Sequence, residues 1–301
     1  MSTPHRPFNR SPLALLVLTG FLLGIMLPMS RLATNAGWSP LSFAFWPALG
    51  SGLVLLVLGL RAQGKDFNRG RLLRFSFING LVGIAIPNCL AFMAIQHIGA
   101  APVALMFTLP PLFTIAMALL IGMERYQPLR MAGILIGLCG AALLVLGRSS
   151  IDHGISGWLL LAMCVPLSLA VGNIYRKFYM PAEINSSLLA GGMLVGSAVI
   201  MLPLIFTGEI QLLSWPRWHV IVAQCLFTTL GYIVYFHFQK VADAVYFSQI
   251  GYVIASVGVL SGLLFFGERL APSTLLAIVL IVAGIAMVNR RMVPVAQTGK
   301  S

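Results

Sequence analysis

Charged side chains are scarce in this sequence of 301 residues. Asp, Glu, Lys and Arg together make up 9% of it, whereas hydrophobic residues make up 59%. Soluble domains carry about 25% charged residues and about 45–50% apolar ones. A soluble fold of this length would therefore lack the polar residues to cover its surface. The composition excludes a soluble enzyme and a disordered chain, and it indicates an integral membrane protein.

Acidic residues are especially few, with 7 Asp and Glu against 19 Lys and Arg. All of them lie in predicted loops or at the edges of apolar stretches: Asp66, Glu124, Asp152, Glu183, Glu209, Asp243 and Glu268. An ionisable group at membrane depth is costly and usually marks an ion or proton path. The absence of carboxylates from the predicted interior argues against an embedded carboxylate that carries protons. His97 and His237 lie near the ends of apolar stretches, where we interpret them as structural residues.

Catalytic and metal-binding motifs are missing as well. The sequence has no GxSxG elbow, HExxH helix, Walker loop or GxGxxG turn, the patterns typical of common enzyme and nucleotide sites. The cysteines show neither CxxC nor metal-ligand spacing, and all lie inside apolar stretches: Cys89, Cys139, Cys164 and Cys225. We therefore predict no catalytic residue, no metal site and no cofactor, and the protein is not expected to be an enzyme.

Long apolar runs, by contrast, fill the chain. A helix needs about 20 apolar residues to cross the hydrocarbon core of a bilayer, and by that measure the sequence contains ten predicted spans. They cover roughly residues 13–35, 41–60, 73–97, 102–121, 128–147, 156–177, 187–206, 216–239, 244–266 and 272–289. The runs are continuous and do not alternate, which favours helices over a transmembrane barrel. The predicted fold class is all-α integral membrane.

The net charge of +12 is interpreted as a topology signal. If the N-terminus is cytoplasmic, fifteen Lys and Arg fall on the inner side and only four on the outer side: Arg31, Arg148, Arg217 and Arg269. Such an excess of basic residues on one side marks the cytoplasmic face. We therefore predict a multi-pass protein of the cytoplasmic (inner) membrane with both termini inside, and no nucleic-acid partner.

The two halves of the sequence resemble each other. At an offset of 144 residues, Glu124-Arg125-Tyr126-Gln127-Pro128 aligns with Glu268-Arg269-Leu270-Ala271-Pro272, before the last span of each half. Further pairs agree along the alignment: Phe92 with Phe236, Gly140 with Gly284, Ala142 with Ala286 and, at an offset of 145, Arg31 with Arg176. The predicted repeats are residues 11–148 and 155–291, with short polar tails at 1–10 and 292–301.

Each repeat contains five predicted spans, an odd number, so the second repeat enters the membrane upside down relative to the first. The charges agree, because Glu124-Arg125 then falls inside and Glu268-Arg269 falls outside. Inverted repeats are the architecture of secondary transporters, whose two halves meet at a site near the midplane and expose it alternately. The predicted fold is therefore ten transmembrane helices in two inverted five-helix repeats.

Ten spans, two inverted copies and a Glu-Arg-x-x-Pro turn before the last span of each copy resemble the drug/metabolite transporter superfamily, and within it the EamA-type metabolite exporters. The resemblance covers nearly the whole chain. It implies export of amino acids or other small metabolites through a central cavity built from spans 1, 3, 4, 6, 8 and 9, with spans 5 and 10 at the side. Small multidrug members of the superfamily exchange protons through an acidic residue in the first helix, and span 1 has none. We therefore expect facilitated or weakly coupled transport.

Neutral polar side chains lie deep in several predicted spans. Those of span 8 follow i, i+4, i+8 and i+11, and those of span 9 follow i, i+3 and i+7, so each set shares one helical face. The predicted substrate-binding residues are Gln224, Thr228, Tyr232 and Tyr235 in span 8, Gln249, Tyr252 and Ser256 in span 9, Asn88 in span 3, Thr108 in span 4 and Asn173 in span 6. The repeat offset places Asn88 on Tyr232 and Thr108 on Tyr252, as expected near a pseudo-twofold axis. The alternative for each is interhelical hydrogen bonding, worth about 0.6 kcal/mol on average.

Prolines interrupt the backbone hydrogen bonds of several spans and can kink them. The adjacent pair Pro110-Pro111 in span 4 is predicted to act as a hinge or gate, because such breaks serve rocking motions in transporters. The other prolines inside spans are interpreted as packing kinks: Pro28, Pro47, Pro87 and Pro166.

Basic and aromatic residues near span ends have their own interpretations. Arg31, in span 1, either holds a substrate carboxylate, which suits a guanidinium, or extends toward the outer interface. Arg176 and Lys177 are interpreted as topology signals. Four tryptophans fall near outer span ends, as in an aromatic belt: Trp38, Trp158, Trp215 and Trp218.

The neutral amides, hydroxyls and tyrosines suit an amino acid or a similar zwitterion as substrate. Tyrosine faces would also accept an aromatic ring or an ammonium group, so a transporter of cationic or aromatic drugs is an alternative. A membrane-embedded enzyme or structural subunit that reuses the fold is another. Glycine pairs such as Gly258 and Gly262 allow close helix packing. We expect a monomer or weak homodimer whose partners are the lipid bilayer and a small-molecule substrate.

Overall fold

The structure, a computed structural model, describes residues 12–64, 67–123, 127–149, 157–212, 218–241, 250–268 and 272–289. Within these ranges the chain forms helices and turns but no strand. Parts of the two aligned Glu-Arg-x-x-Pro motifs, residues 124–126 and 269–271, lie outside the described residues, as does the candidate Gln249.

Each of the ten predicted spans overlaps at least one helix. In chain order the helices are α1 (Pro12–Gly24), α2 (Met26–Asn35), α3 (Pro40–Ala62), α4 (Arg69–Gly80), a π-helical turn (Leu81–Ala85), α5 (Ile86–Ile98), α6 (Ala100–Met106), α7 (Pro110–Leu120), α8 (Pro128–Ser149), α9 (Gly157–Tyr179), α10 (Ser186–Met201), α11 (Pro203–Phe206), α12 (Trp218–Val241), α13 (Ile250–Phe266) and α14 (Pro272–Asn289).

Seven helical stretches of the described chain are long and apolar enough to cross a membrane. They are Leu13–Asn35, Pro40–Ala62, Arg69–Ile98, Ala100–Leu120, Gly157–Tyr179, Ser186–Phe206 and Trp218–Phe238. Three shorter apolar helices, Met131–Leu143, Ile250–Phe266 and Pro272–Met287, lie at the positions of predicted spans 5, 9 and 10. The helical fold class is thus confirmed, while the count of ten crossings and the side of the termini stay predictions.

Prolines explain where the helices are interrupted. Pro28 has no N–H to donate to the carbonyl of Gly24, and the first span breaks into α1 and α2 at Ile25. Pro110 likewise follows a break at residues 107–109, where Thr108 N–H bonds instead to the carbonyl of Leu105 at 3.1 Å. The predicted interruption at Pro110-Pro111 is therefore present between α6 and α7, and its movement as a hinge stays a prediction.

A wider, π-helical turn separates α4 from α5. Pro87 cannot donate to a carbonyl one turn earlier, and a π-turn is a common way for a helix to absorb such a disturbance. The side-chain hydroxyl of Ser168, on α9, donates to the carbonyl of Val82 within this turn at 2.6 Å. A neighbouring helix thus satisfies a backbone group in the interrupted stretch, as membrane interiors require.

Glycines allow the closest helix contacts. α8 and α14 pack extensively on each other, and a Cβ added at Gly284 would lie 2.5 Å from the carbonyl oxygen of Gly133. α13 packs along α6, where a Cβ at Gly258 would lie 2.3 Å from Cβ of Ala104. The pairing of α8 with α14 keeps these two helices to one side, and α2, α5, α6, α7, α9, α12 and α13 supply the polar groups or packing of the candidate site.

Candidate substrate site

Two polar clusters lie at opposite ends of the helices that carry the predicted site residues. One contains Arg31, near the end of α2, and the other contains Arg176, near the end of α9. We name them the outer cluster and the inner cluster, after the predicted orientation of the chain.

The outer cluster is centred on an ion pair between Arg31 and Glu268. Glu268 follows the end of α13 and is 11% exposed at its side chain. The guanidinium carbon of Arg31 also lies 4.7 Å from the ring centroid of Phe266, a cation–π distance. In this structure Arg31 is therefore occupied by protein groups, and its predicted role as holder of a substrate carboxylate stays a prediction.

The carboxylate of Glu268 has further partners. Its two oxygens accept hydrogen bonds from the backbone N–H groups of Ala100, at 2.8 Å, and Ala101, at 2.9 Å. These are the first residues of α6, whose N–H groups have no partner within the helix. Gly99 turns the chain here with a φ of +86°, and a Cβ on it would lie 2.7 Å from Oε1 of Glu268. One carboxylate thus joins α2, α6 and the end of α13.

The helices below this cluster pack closely. Gly262 of α13 lies beside Ala101 of α6, because a Cβ on the glycine would be 3.0 Å from Cβ of Ala101. Gly258 lies against Ala104 one turn further in. Along the described residues, α13 contacts α6 much more extensively than α7. The outer halves of these two helices are therefore in tight contact.

The inner cluster joins three other helices. Arg176 donates a hydrogen bond to the hydroxyl of Tyr235, on α12, at 2.8 Å, and another to Oδ1 of Asn173. Asn173 in turn donates through Nδ2 to the hydroxyl of Thr114, on α7, at 3.2 Å. The chain Thr114–Asn173–Arg176–Tyr235 connects α7, α9 and α12 through one guanidinium and three neutral side chains.

Aromatic residues follow the same helices as this cluster. The ring centroids of Tyr232 and Tyr235 are 5.8 Å apart, and those of Tyr235 and Phe236 are 5.3 Å apart. Tyr175 stacks between Phe75, at 6.0 Å, and Tyr179, at 4.9 Å. The inner cluster therefore combines one cation, hydroxyl and amide groups, and several aromatic faces.

The remaining predicted residues do not join either cluster. Gln224 donates through Nε2 to the hydroxyl of Thr228 at 3.0 Å, and both side chains are buried. Oε1 of Gln224 is buried and has no hydrogen-bond partner within the part of the chain that the structure describes. This pair lies on the outer half of α12, about two to three turns from Tyr235.

Two predicted hydroxyls bond within their own segment. Thr108, 6% exposed, donates to the carbonyl of Leu105 at 2.7 Å, and Ser256 donates to the carbonyl of Tyr252 at 2.8 Å. Asn88 and Tyr252 are half-buried. Among the predicted residues that the structure describes, Tyr235 and Asn173 thus join the inner network, Tyr232 packs on Tyr235, and Gln224 and Thr228 form a separate pair.

Sequence reasoning missed Arg176 as a site residue, since it interpreted the charge as a topology signal. The one available sign was the alignment of Arg176 with Arg31 at an offset of 145 residues. Thr114 and Glu268 were missed for a similar reason, because their roles depend on partners from distant helices. One other interpretation was wrong: Trp38 is 3% exposed and packs in the protein core, so it does not belong to a lipid-facing belt.

The helices, their apolar surfaces and these two clusters define a multi-pass membrane protein. A family model described as the EamA-like transporter family matches residues 10–146 and residues 156–290, one match in each half of the chain. The chain therefore belongs to the EamA-like transporter family, and it is a membrane transporter of the drug/metabolite type. The resemblance inferred from the sequence is confirmed.

A comparison with solved structures adds the fold alone. A solved structure described as "Crystal structure of protein" is similar to this chain with a TM-score of 0.58 and 21% sequence identity. The similarity covers 91% of this chain and 96% of that chain. A comparison with curated proteins gives no match.

Proposed function

We propose that this transporter moves small polar or amphipathic metabolites, amino acids or similar zwitterions above all, by alternating access across the cytoplasmic membrane. The supporting observation is the difference between the two ends of the helix bundle. The outer cluster joins α2, α6 and the end of α13 through a charged pair. The inner cluster instead holds polar and aromatic groups of α7, α9 and α12. A closed end opposite a polar site is what alternating access requires of one of its states.

The predicted orientation supports export. It places the closed end outside and the inner cluster toward the cytoplasm, so that a substrate loads from the cytoplasm and leaves after the outer cluster opens. The predicted site residues supply hydroxyl, amide and aromatic groups: Asn88, Thr108, Asn173, Gln224, Thr228, Tyr232, Tyr235, Gln249, Tyr252 and Ser256. Such neutral groups suit a zwitterion better than a multiply charged solute.

Efflux from proteoliposomes tests this function. Liposomes that contain the full chain are loaded with an equimolar mixture of the common L-amino acids, and mass spectrometry follows which of them leave. We expect a subset to leave faster than from liposomes without protein. Efflux of the cation tetraphenylphosphonium without amino-acid efflux would favour the drug alternative. Conversion of an added lipid or peptide without any flux would favour the enzyme alternative.

Two substitutions test the cavity. Tyr232→Ala and Tyr252→Ala should each lower efflux roughly fivefold or more, because a hydrogen bond or contact from each ring is worth about 1 kcal/mol or more. Phe206→Ala is the control, because Phe206 is an aromatic residue that is 92% exposed at the end of α11, outside both clusters. Unchanged efflux in both variants would show that the cavity lies elsewhere. Strict dependence of efflux on a pH gradient would contradict facilitated or weakly coupled transport.

A further inference from the structure

Arg176 carries a positive charge that no acid of the described ranges balances. The two ion pairs in those ranges are Arg31 with Glu268 and Arg71 with Glu183. The hydrogen bonds of Arg176 go instead to the neutral side chains of Tyr235 and Asn173. A guanidinium held among the helices of a membrane protein is costly without a counter-ion. Neutral oxygens compensate its desolvation only in part.

The position of Arg176 directs its charge into the bundle. The residue is half-buried and lies three residues before the end of α9 at Tyr179. Side chains on a helix lean toward its N-terminus, which in α9 is the direction of the opposite, outer end. Tyr235 lies six residues before the end of α12, or about 9 Å along the axis at 1.5 Å per residue. The hydrogen bond to Tyr235 therefore holds the guanidinium between helices, whereas the neighbouring Lys177 is exposed.

We propose that Arg176 binds the carboxylate of the transported substrate. This inference rests on the proposed function and adds the chemical group that the transporter recognises, a free carboxylate. A guanidinium can donate two parallel hydrogen bonds to one carboxylate, and bonds between charged groups are stronger than those to neutral oxygens. A carboxylate therefore displaces Asn173 or Tyr235 from Arg176 with a gain in free energy. The hydroxyl of Tyr235 can donate to the same carboxylate.

Arg31, the residue aligned with Arg176, is not equivalent to it. Glu268 already neutralises Arg31, and Phe266 covers its guanidinium at 4.7 Å. A substrate carboxylate at Arg31 would have to displace a carboxylate that two backbone N–H groups also hold. Of these two aligned arginines, Arg176 is the one with neutral partners in the described chain.

The residues near Arg176 indicate which groups the substrate carries besides its carboxylate. Tyr235, whose hydroxyl accepts a hydrogen bond from the guanidinium, has its ring in contact with the rings of Tyr232 and Phe236. Aromatic faces accept apolar groups by contact and ammonium groups by cation–π attraction. The ligand class is accordingly a carboxylate with an apolar, aromatic or ammonium group close by.

Paired probes test this assignment. Proteoliposomes with the full chain are loaded with an equimolar mixture of L-amino acids and the corresponding L-amino acid amides, which lack only the carboxylate charge. Efflux of each acid and its amide is compared for the natural protein and the variants Arg176→Gln, Arg176→Lys and Lys177→Gln. The control Lys177→Gln removes the same charge from the same helix end. Size-exclusion chromatography confirms that each variant is folded before reconstitution.

The expected pattern is specific to the carboxylate. The natural protein should prefer acids over amides, and Arg176→Gln should lower acid efflux roughly 10- to 100-fold, as expected when a charged hydrogen-bond partner is lost, with amide efflux little changed. Arg176→Lys should retain part of the preference because it keeps the charge without the two parallel donors, and Lys177→Gln should leave it intact.

Other outcomes overturn the assignment. Equal loss of acid and amide efflux in Arg176→Gln would show a structural role, and an unchanged acid preference would place carboxylate recognition elsewhere. In both cases flux persists in the natural protein, so the proposed function stands. Absence of flux for every acid and amide in the natural protein would instead overturn the proposed function and this assignment together.

Discussion

Arg31 and Glu268, 237 residues apart in the chain, form an ion pair that joins the first half of the protein to the second. The carboxylate also accepts the two N–H groups that begin α6, so a single side chain connects three segments. Such charge-assisted bonds are stronger than neutral ones. The pair lies at the end of the molecule where Gly262 of α13 packs beside Ala101 of α6, and it is well placed to hold these segments together.

Loss of the charge on Glu268 should loosen the start of α6. Glu268→Gln removes the partner of Arg31 and keeps only one good acceptor for the N–H groups of Ala100 and Ala101. We expect amide hydrogen exchange of residues 99–106 to rise roughly tenfold or more, because bonds to a charged group are worth about 1.5–3 kcal/mol. Hydrogen-exchange mass spectrometry of the reconstituted protein measures this change.

Two controls accompany the measurement on Glu268. Glu209→Gln removes an exposed acid outside this cluster and should leave exchange of residues 99–106 unchanged. The charge reversal Arg31→Glu with Glu268→Arg should fail to restore protection, because an arginine at 268 cannot accept the backbone N–H groups. Full protection in the reversed protein would mean that the ion pair alone closes this end.

The contact between α6 and α13 should not tolerate a methyl group. In Gly258→Ala the added Cβ would lie 2.3 Å from Cβ of Ala104 and 2.8 Å from Cδ1 of Leu27. We expect a loss of about 1–3 kcal/mol in the free energy of unfolding, the usual effect of overpacking, and a lower thermal unfolding temperature in detergent. Gly157→Ala is the matched control, since its Cβ would meet no atom of the described residues within 4 Å. Equal stability of the two variants would contradict the close packing.

The π-helical turn should depend on a hydroxyl from another helix. Ser168→Ala removes the donor to the carbonyl of Val82 and leaves a backbone group in the interrupted stretch without this partner. Interhelical hydrogen bonds of this kind average about 0.6 kcal/mol in membranes, so we expect a small but measurable decrease in thermal stability. Ser256→Ala, which removes a bond within one helix, should decrease it less. An equal or larger effect of the second variant would show that the turn is stable without Ser168.

Reporter fusions test the predicted orientation. Alkaline phosphatase, active only outside the cytoplasm, should be active when fused after Gly37 or Gly208 and inactive after Gly64 or Glu183. A fluorescent protein that folds in the cytoplasm should fluoresce at the C-terminus. These outcomes follow from the excess of Lys and Arg in loops of one side. Activity after Gly64 or Glu183 would mean that the chain has the opposite orientation or fewer than ten crossings.

The helical fold could be predicted because its main signal is local. The length of an apolar run decides whether a helix can cross a bilayer, and a proline removes a hydrogen bond wherever it stands. The interruption at Pro110-Pro111 was therefore predictable from the two adjacent prolines in the sequence. The π-helical turn before Pro87 was not, because its carbonyl at Val82 finds its partner in Ser168, 86 residues away.

The candidate site was predictable only in part. Periodicity placed Tyr232 and Tyr235 on one face of a helix, and the structure brings them together at 5.8 Å. Periodicity could not show that Tyr235 contacts Arg176 of another helix. Hydropathy gives the position of a charged residue along a span, but it does not give the direction of the side chain.

By itself, the sequence determined that this protein is a helical membrane protein of two similar halves, and its repeat and turn motifs indicated a transporter. Those properties depend on composition, apolar length and spacing along one chain. Only the tertiary structure decided that Arg31 is neutralised by Glu268 and that Arg176 has neutral partners. The physical reason is that charge balance at a buried site depends on which distant side chains reach within about 3 Å of each other. The few acids of the sequence are used unequally in that arrangement, since Glu268 joins three segments at one end and none of the described acids pairs with Arg176 at the other.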